Sequence, residues 1–136
     1  MIRRWSPAEA PAPLAAYNHL AAVPPDHQLI IFAGQVGTLP DGTLAGPDAE
    51  TQARRALANI ETLLTTLNAT PANLVKLSTL VAGPEHLPGL RAALRDTLAK
   101  WYPTGDTPPN TLAIVAGLAT PDLTVEIEAM AAVPIR

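Results

Sequence analysis

The amino-acid sequence predicts a single α+β domain, with one mixed sheet of about six strands and two helices on one of its faces. Two segments repeat apolar residues at steps of three and four, the spacing of one helix face. The other periodic segments have strand patterning, and the order is strand, strand, helix, strand, helix, strand, strand. A length of 136 residues suits one core and is too short for two.

Two strands are expected after an amino-terminal arm of residues 1–15. The segment Gln28–Gln35 is almost continuously apolar and ends in glycine, which favours a central strand buried on both faces. Ala16–Val23 is predicted to be its partner strand, with Pro24–Asp26 as the turn between them. Residues 38–47 are rich in glycine and proline and are expected to form an exposed loop.

The helices and the remaining strands alternate along the rest of the chain. Asp48–Asn68 is predicted to be an amphipathic helix, with a proline and acids suited to its first turn. Leu74–Val81 is rich in branched residues and should be a strand. A second helix should follow it, with one apolar stripe formed by Leu87, Leu90, Leu94, Leu98 and Trp101. A proline-rich loop then leads to a strand at Thr111–Ala116. The last segment, Leu123–Val133, alternates as a half-buried strand does.

Composition excludes several classes of function. The net charge is -3 at pH 7 and the basic residues are scattered, so nucleic acid is not an expected partner. The absence of cysteine excludes disulfides, a thiolate nucleophile and a cysteine zinc site. No apolar stretch approaches the roughly 20 residues that span a bilayer, and no signal-peptide run is seen at the amino terminus. No membrane association and a cytoplasmic location are therefore expected.

The predicted strand arrangement implies self-association. Two helices cover only one face of a sheet, yet Leu29–Ala33 is apolar on both faces. The uncovered face needs a partner, and a closed symmetric oligomer of the same chain is the simplest one.

Few residues suggest chemistry by themselves. Glu126 and Glu128 lie two apart on a strand, so their side chains share one face with about 7 Å between their backbones. One of them could act as a general base, with a pKa raised by the other carboxylate, or the pair could simply belong to a solvated face. His19, His27 and His86 match no metal spacing, so no metal is expected. Serine-hydrolase, phosphate-loop and dinucleotide motifs are absent.

Several short pieces together resemble the Rid (YjgF) family of enamine and imine deaminases along Tyr17–Val133. Their order and spacing are more specific than any one of them: AYNH at 16–19, FAGQV at 32–36, QA at 52–53 with NI at 59–60, LVK at 74–76, and VEIEAMA at 125–131. The resemblance implies a chorismate-mutase-like fold, a homotrimer with a central barrel, and clefts between subunits. It also implies cofactor-free hydrolysis of reactive enamines or imines to a keto acid and ammonia.

The resemblance assigns roles to individual residues. Glu126 corresponds to the glutamate that places or activates water, and Tyr17 to a tyrosine lining the cleft. Gly34 corresponds to the conserved turn after the central strand. Ala33 stands where active members often have serine, and Leu112 where many have cysteine.

The arginine that binds the substrate carboxylate in this family is missing, because Asn110 occupies its position. A guanidinium–carboxylate contact is worth roughly 1.5 to 3 kcal/mol, and a neutral amide gives less. Three explanations stay open. Arg91 or Arg95 enters the cleft instead, the ligand is an uncharged or larger enamine, amide or carbamate, or the protein binds a ligand without turnover.

The leading hypothesis is therefore a trimer that binds a small imine or carbonyl metabolite between its subunits and hydrolyses it. The alternative is a non-catalytic member of the family that binds a small ligand or another protein. A ribonuclease is disfavoured by the acidic composition.

Overall fold

The computed structural model describes residues 1–136 and contains six strands and two α-helices. In chain order they are β1 Arg3–Trp5, β2 Leu20–Ala22, β3 His27–Ile31, α1 Ala49–Thr66, β4 Leu74–Ala82, α2 Leu87–Trp101, β5 Asn110–Val115 and β6 Val125–Pro134. Both predicted helices and the predicted α+β class are confirmed.

The strands form two sheets. Strands β1 and β2 pair with each other, while the other four have the order β3-β6-β4-β5. The pair β4–β5 is parallel and the two others are antiparallel, so the larger sheet is mixed, as expected. It has four strands and not about six, because β1 and β2 pair only with each other. Both helices pack on one face of this sheet, where their apolar residues and those of β4 and β6 form one continuous core. We call the opposite surface the open face; it carries Leu29, Ile31, Lys76, Ser78, Leu80, Glu126, Glu128 and Met130.

The prediction of a central strand at Gln28–Gln35 was wrong, because β3 lies at an edge of the sheet and ends at Ile31. Its continuous hydrophobicity has another cause. Phe32 and Ile30 belong to the core, whereas Leu29 and Ile31 point to the open face and are 48% and 61% exposed. An apolar run on both faces therefore reflects a surface that this chain does not cover by itself.

The predicted pairing of Ala16–Val23 with the next strand was also wrong. Only Leu20–Ala22 is extended, and it pairs with Arg3–Trp5, a strand inside the segment expected to be an arm. A three-residue strand has too short a pattern to be seen in the sequence. Its neighbour Ile2 packs with Val75 and covers part of the open face.

A single buried glutamine fixes the start of α1. Gln52 is fully buried, and its amide nitrogen donates to the carbonyls of Gly46 and Asp122, both at 3.0 Å. Its oxygen accepts from the backbone and the hydroxyl of Thr124, both at 2.9 Å. The helix is thereby joined to the loop before it and to the segment that leads into β6.

A buried arginine anchors β1 to the rest of the molecule. The Arg4 side chain is 3% exposed and donates to the carbonyls of Leu74 and Ala72 at 2.6 and 2.7 Å. It also forms an ion pair with Asp106 at 3.1 Å and lies over the ring of Tyr102. These contacts join β1 to the start of β4 and to the loop that precedes β5.

Candidate functional site

A cleft of about 1060 Å³ lies between α2, the start of β5 and the segment that precedes β2. Its floor is apolar and includes Leu94 and Leu98 of α2. Three of the residues that the sequence assigned to the site border it, namely Tyr17, Asn110 and Leu112. Its volume is slightly above the range of about 300 to 1,000 Å³ that small-molecule sites usually occupy.

Asn110 is the first residue of β5, and the neighbouring strand fixes the orientation of its amide. The hydroxyl of buried Thr79 donates to Asn110 Oδ1 at 3.0 Å. Since the carbonyl oxygen is thus engaged, the amide NH₂ group is left without a protein partner and can donate into the cleft. The cleft therefore contains an oriented neutral donor at this position.

Tyr17 lies in a loop that is folded over the mouth of the cleft. Its hydroxyl accepts from the backbone amide of Leu14 at 3.1 Å, and its ring meets that of His19 edge-on at 5.7 Å. His19 Nε2 lies 2.6 Å from the carbonyl oxygen of Pro11. These contacts hold the proline-rich segment in a compact turn beside Asn110.

The base of the cleft is closed by a tyrosine that stays neutral. Tyr102 is buried, and its hydroxyl donates to the carbonyl of Pro71 at 2.6 Å. Burial raises the pKa of this phenol well above its ordinary value, because the phenolate would lose its hydration. Tyr102 consequently serves as a wall of the cleft and not as a proton acceptor.

Glu126 lies on the open face beside the segment that follows β3. Its half-buried carboxylate has no hydrogen bond or ion pair within the chain. The neighbouring residue is Gly34, and a Cβ there would overlap the Oε2 atom of Glu126. Only glycine leaves this space, and Ala33 beside it is exposed. Glu126 thus presents an unpaired carboxylate beside the backbone of Gly34.

The two groups of predicted site residues lie on opposite faces of the sheet. Asn110 aligns with Leu77 of β4, whose side chain is buried beneath the helices. Glu126 aligns with Leu80, three residues further along the same strand. Positions three apart on a strand point in opposite directions. Within one chain, Asn110 and Glu126 therefore do not face a common space.

The basic residues considered as substitutes for the missing arginine both border the cleft. Arg91 and Arg95 are exposed on α2, and Lys76 reaches the rim from β4. The chain has no group of three or more acidic, histidine or cysteine side chains close enough to hold a metal ion.

Thr79 is the residue of this site that the sequence did not reveal. It occupies a buried position of β4 between the apolar residues Leu77 and Val81. In the sequence, the only indication was a hydroxyl among the inward-facing apolar residues of this strand, because a buried polar group needs a hydrogen-bond partner. Which partner it has follows from the parallel pairing of β4 with β5.

The helices stacked on one face of a mixed sheet, with a cleft at the edge strand, define a small two-layer α+β protein. Residues 7–133 match the family model described as Endoribonuclease L-PSP. Since this match covers most of the chain, the protein belongs to that family, which includes the Rid (YjgF) proteins.

Individual relatives agree with this assignment. The Rid-family protein YyfB from Yersinia pestis is 30% identical, with 97% of this chain and 98% of that one covered and a TM-score of 0.82. The YjgF gene product from E. coli is 25% identical over 95% and 97% of the two chains, with a TM-score of 0.68. Protein HMF1 of Saccharomyces cerevisiae is 29% identical, with 90% of this chain and 88% of that one covered.

No helix of the present chain has the length and hydropathy needed to cross a membrane.

Proposed function

We propose that the protein is a cofactor-free hydrolase that acts on a C=N or related bond in a cleft between copies of the chain. In this proposal, Asn110 of one copy donates to the ligand and Glu126 of the next copy positions the attacking water. The observation that carries it is the unpartnered Glu126 carboxylate on a surface that is itself incomplete.

The separation of the two residues supports an assembled site. Leu29, Ile31 and Met130 are 48%, 61% and 37% exposed on the open face. Burying this surface against neighbouring copies would stabilise the assembly by about 25 cal/mol for each Å² of apolar area removed from water. The same association brings the open face of one copy, with Glu126, towards the edge cleft of another. A closed trimer, as in the family resemblance, satisfies this arrangement for every copy.

The chemistry needs only groups that the chain supplies. Glu126 accepts a proton from water, whose oxygen then forms a bond with the imine carbon. The C=N double bond becomes a single bond as the proton passes from the carboxyl group to nitrogen, which gives a carbinolamine. Glu126 then takes the remaining hydroxyl proton as the C=O bond forms and delivers it to the nitrogen, so that the carbon–nitrogen bond breaks and ammonia leaves. The products are the carbonyl compound and ammonia, so atoms balance with one water consumed. In this proposal, the Asn110 amide donates a hydrogen bond to the ligand as charge develops on the reacting group.

The main alternative is a non-catalytic member that binds a small ligand. The neutral Asn110 in the position of the arginine favours it, because a neutral donor compensates no carboxylate charge. A ribonuclease, as the family description names, is less compatible with a net charge of -3. RNA binding that weakens steeply with salt would support that activity instead.

The direct test is hydrolysis of 2-iminobutanoate, generated enzymatically, with ammonia release followed in time. We expect acceleration by the wild type and a loss of about 10²-fold or more in Glu126→Gln, since amide replaces the base. Glu128→Gln is the matched control on the same strand and face, and it should keep the wild-type rate.

The variant Asn110→Arg separates a lost substrate preference from a lost reaction. If it accelerates 2-iminobutanoate hydrolysis while the wild type does not, the catalytic apparatus is intact and the natural ligand is a different one. If no variant exceeds buffer, the deaminase reaction is excluded for this substrate.

A further inference from the structure

The cleft concentrates positive charge in a protein that is acidic overall. Lys76, Arg91 and Arg95 border it, and no aspartate or glutamate does. The chain as a whole has a net charge of -3. The cleft is therefore positively charged although the protein as a whole is negatively charged, and this favours binding of an anionic ligand there.

These cations are poorly neutralised by the chain itself. Arg91 forms no ion pair or hydrogen bond with any other side chain. Lys76 Nζ donates to the hydroxyl of Thr111 at 2.6 Å, which leaves its charge uncompensated. Only Arg95 has an acidic neighbour, Asp96, at 3.6 Å. Arg54 shows the contrast, because outside the cleft it contacts both Glu50 and Asp96.

Two of the three cations lie on a different element from the neutral donor, whereas Lys76 contacts Thr111 next to Asn110. Arg91 and Arg95 are four residues apart on α2 and so share one side of that helix. Asn110 lies on β5, which forms another wall of the cleft, and the apolar Leu94 and Leu98 of α2 also line it. A ligand that reaches both walls must therefore have an apolar segment between its two polar ends.

We propose that the cleft takes oxo acids, or the imines derived from them, whose carboxylate is separated from the reacting carbon by an apolar chain. The carboxylate contacts Arg91 and Arg95, the chain lies on Leu94 and Leu98, and the carbonyl or imine group meets Asn110. This assignment rests on the proposed function in placing the reacting group at Asn110. It differs from the pose that an arginine at position 110 would impose, in which carboxylate and reacting carbon are adjacent.

Isothermal titration calorimetry with a series of stable oxo acids tests the spacing. The probes are pyruvate, 4-oxopentanoate and 6-oxoheptanoate, titrated into the wild-type protein at low salt. We expect the association constant to rise by up to about fourfold for each methylene buried, until the chain spans the cleft. Equal affinity for pyruvate and 6-oxoheptanoate would overturn the proposal, as would equal affinity for inorganic phosphate.

Variants identify the cations. Arg91→Ala and Arg95→Ala should each weaken 6-oxoheptanoate binding by about five- to tenfold. Lys100→Ala is the matched control, because Lys100 is an exposed cation of the same helix outside the cleft. The uncharged ketone 2-heptanone should bind weakly and be indifferent to Arg91→Ala. Unchanged binding of 6-oxoheptanoate in Arg91→Ala,Arg95→Ala would refute the assignment.

The outcome is separable from that of the proposed function, since binding needs no turnover. Chain-length dependence lost in the double arginine variant establishes the ligand class even if no imine is hydrolysed. Conversely, ammonia release without any preference for the longer acids would leave the hydrolase in place and remove this ligand class.

Discussion

At the scale of single residues, two contacts decide which groups in the site can react. Gly34 has no side chain where the Glu126 carboxylate lies, and Thr79 fixes the amide of Asn110. Neither contact adds a reactive group. Each instead determines where an existing donor or acceptor points.

The substitution Gly34→Ala should displace the Glu126 carboxylate, because the new methyl group would overlap its Oε2 atom. The clash is with the end of a flexible side chain, so the free energy of unfolding should change by less than about 1 kcal/mol. The proposed hydrolytic activity should fall at least about tenfold, since the candidate base is moved from its position. Steady-state ammonia release and urea unfolding measure the two effects.

Gly117→Ala is the control for this change. A Cβ at Gly117 meets no atom within 4 Å, so neither stability nor activity should change. Full activity of Gly34→Ala would show that the contact with Glu126 has no part in the reaction.

Because Tyr102 is buried, the free energy of unfolding should depend on pH in the alkaline range. Burial raises its pKa in the folded state above the ordinary value of 10.0, so folding favours the neutral phenol. This contribution is complete below about pH 10 and is lost as the pH rises towards the folded-state pKa. Urea unfolding midpoints should therefore be level between about pH 8 and 9.5 and decline above about pH 10.

Tyr102→Phe should remove part of this alkaline decline, whereas Tyr17→Phe should retain it because Tyr102 is intact. Parallel pH curves for wild type and Tyr102→Phe would contradict the assignment.

At the scale of secondary-structure elements, the short strand β1 depends on one side chain. Three residues form few ladder hydrogen bonds, and Arg4 supplies the contacts that hold them. Its guanidinium donates to carbonyls that precede or begin β4 and pairs with Asp106 before β5. The anchor thus lies beside the loop that leads to Asn110.

Arg4→Met should destabilise the protein by about 2 to 3 kcal/mol, because it removes the hydrogen bonds of a buried guanidinium, including those to the partly buried carbonyl of Leu74. Hydrogen exchange should show lost protection of the β1 and β2 amides, and urea unfolding gives the free energy. Arg3→Met is the matched control, since the neighbouring Arg3 is exposed and contacts only the ring of Trp5, at 3.9 Å. Equal effects of the two substitutions would mean that the buried contacts are not stabilising.

At the scale of the whole molecule, the open face is the feature that one chain leaves unfinished. Leu29, Ile31 and Met130 are exposed beside Glu126 and Glu128. A contiguous apolar surface of this kind on a small protein marks an interaction site. Because the candidate base Glu126 lies on the same face, both the proposed oligomerisation and the proposed reaction depend on this surface.

The proposed trimer predicts a sedimenting mass of three times the 14.2 kDa of the chain. Ile31→Glu should shift this mass towards that of one chain, because a buried charge at the interface is unfavourable. Analytical ultracentrifugation at micromolar concentration checks both. Leu63→Glu is the control, since Leu63 is 36% exposed on α1, away from the open face. A stable single chain in the wild type would remove the proposed site.

The periodic pattern of the sequence predicted α1, α2, β4 and β6 closely, because each buries one face against the same core. In β6 the expected inward row is buried at Val125, Ile127, Ala129 and Ala131. The pattern failed at β2 and β3, where pairing depends on distant partners. Period and composition report which faces are apolar, but they do not report which strand is the neighbour.

For the candidate site, the residues could be named from the sequence, but their arrangement could not. Asn110, Glu126 and Tyr17 were proposed from the family resemblance, as were Arg91 and Arg95 as substitute cations. That Asn110 and Glu126 lie on opposite faces follows from the register of β4 with β5 and β6. Register depends on contacts between segments far apart in the chain.

The sequence by itself determined the α+β class, both helices and the presence of an apolar surface in need of a partner. These follow from local periodicity, since each element buries its own apolar face. Only the tertiary structure decided that β3 is an edge strand, that Thr79 orients Asn110, and that three cations border the same cleft as Asn110. Such relations depend on which segments meet in space, and long-range pairing leaves no periodic trace in the sequence.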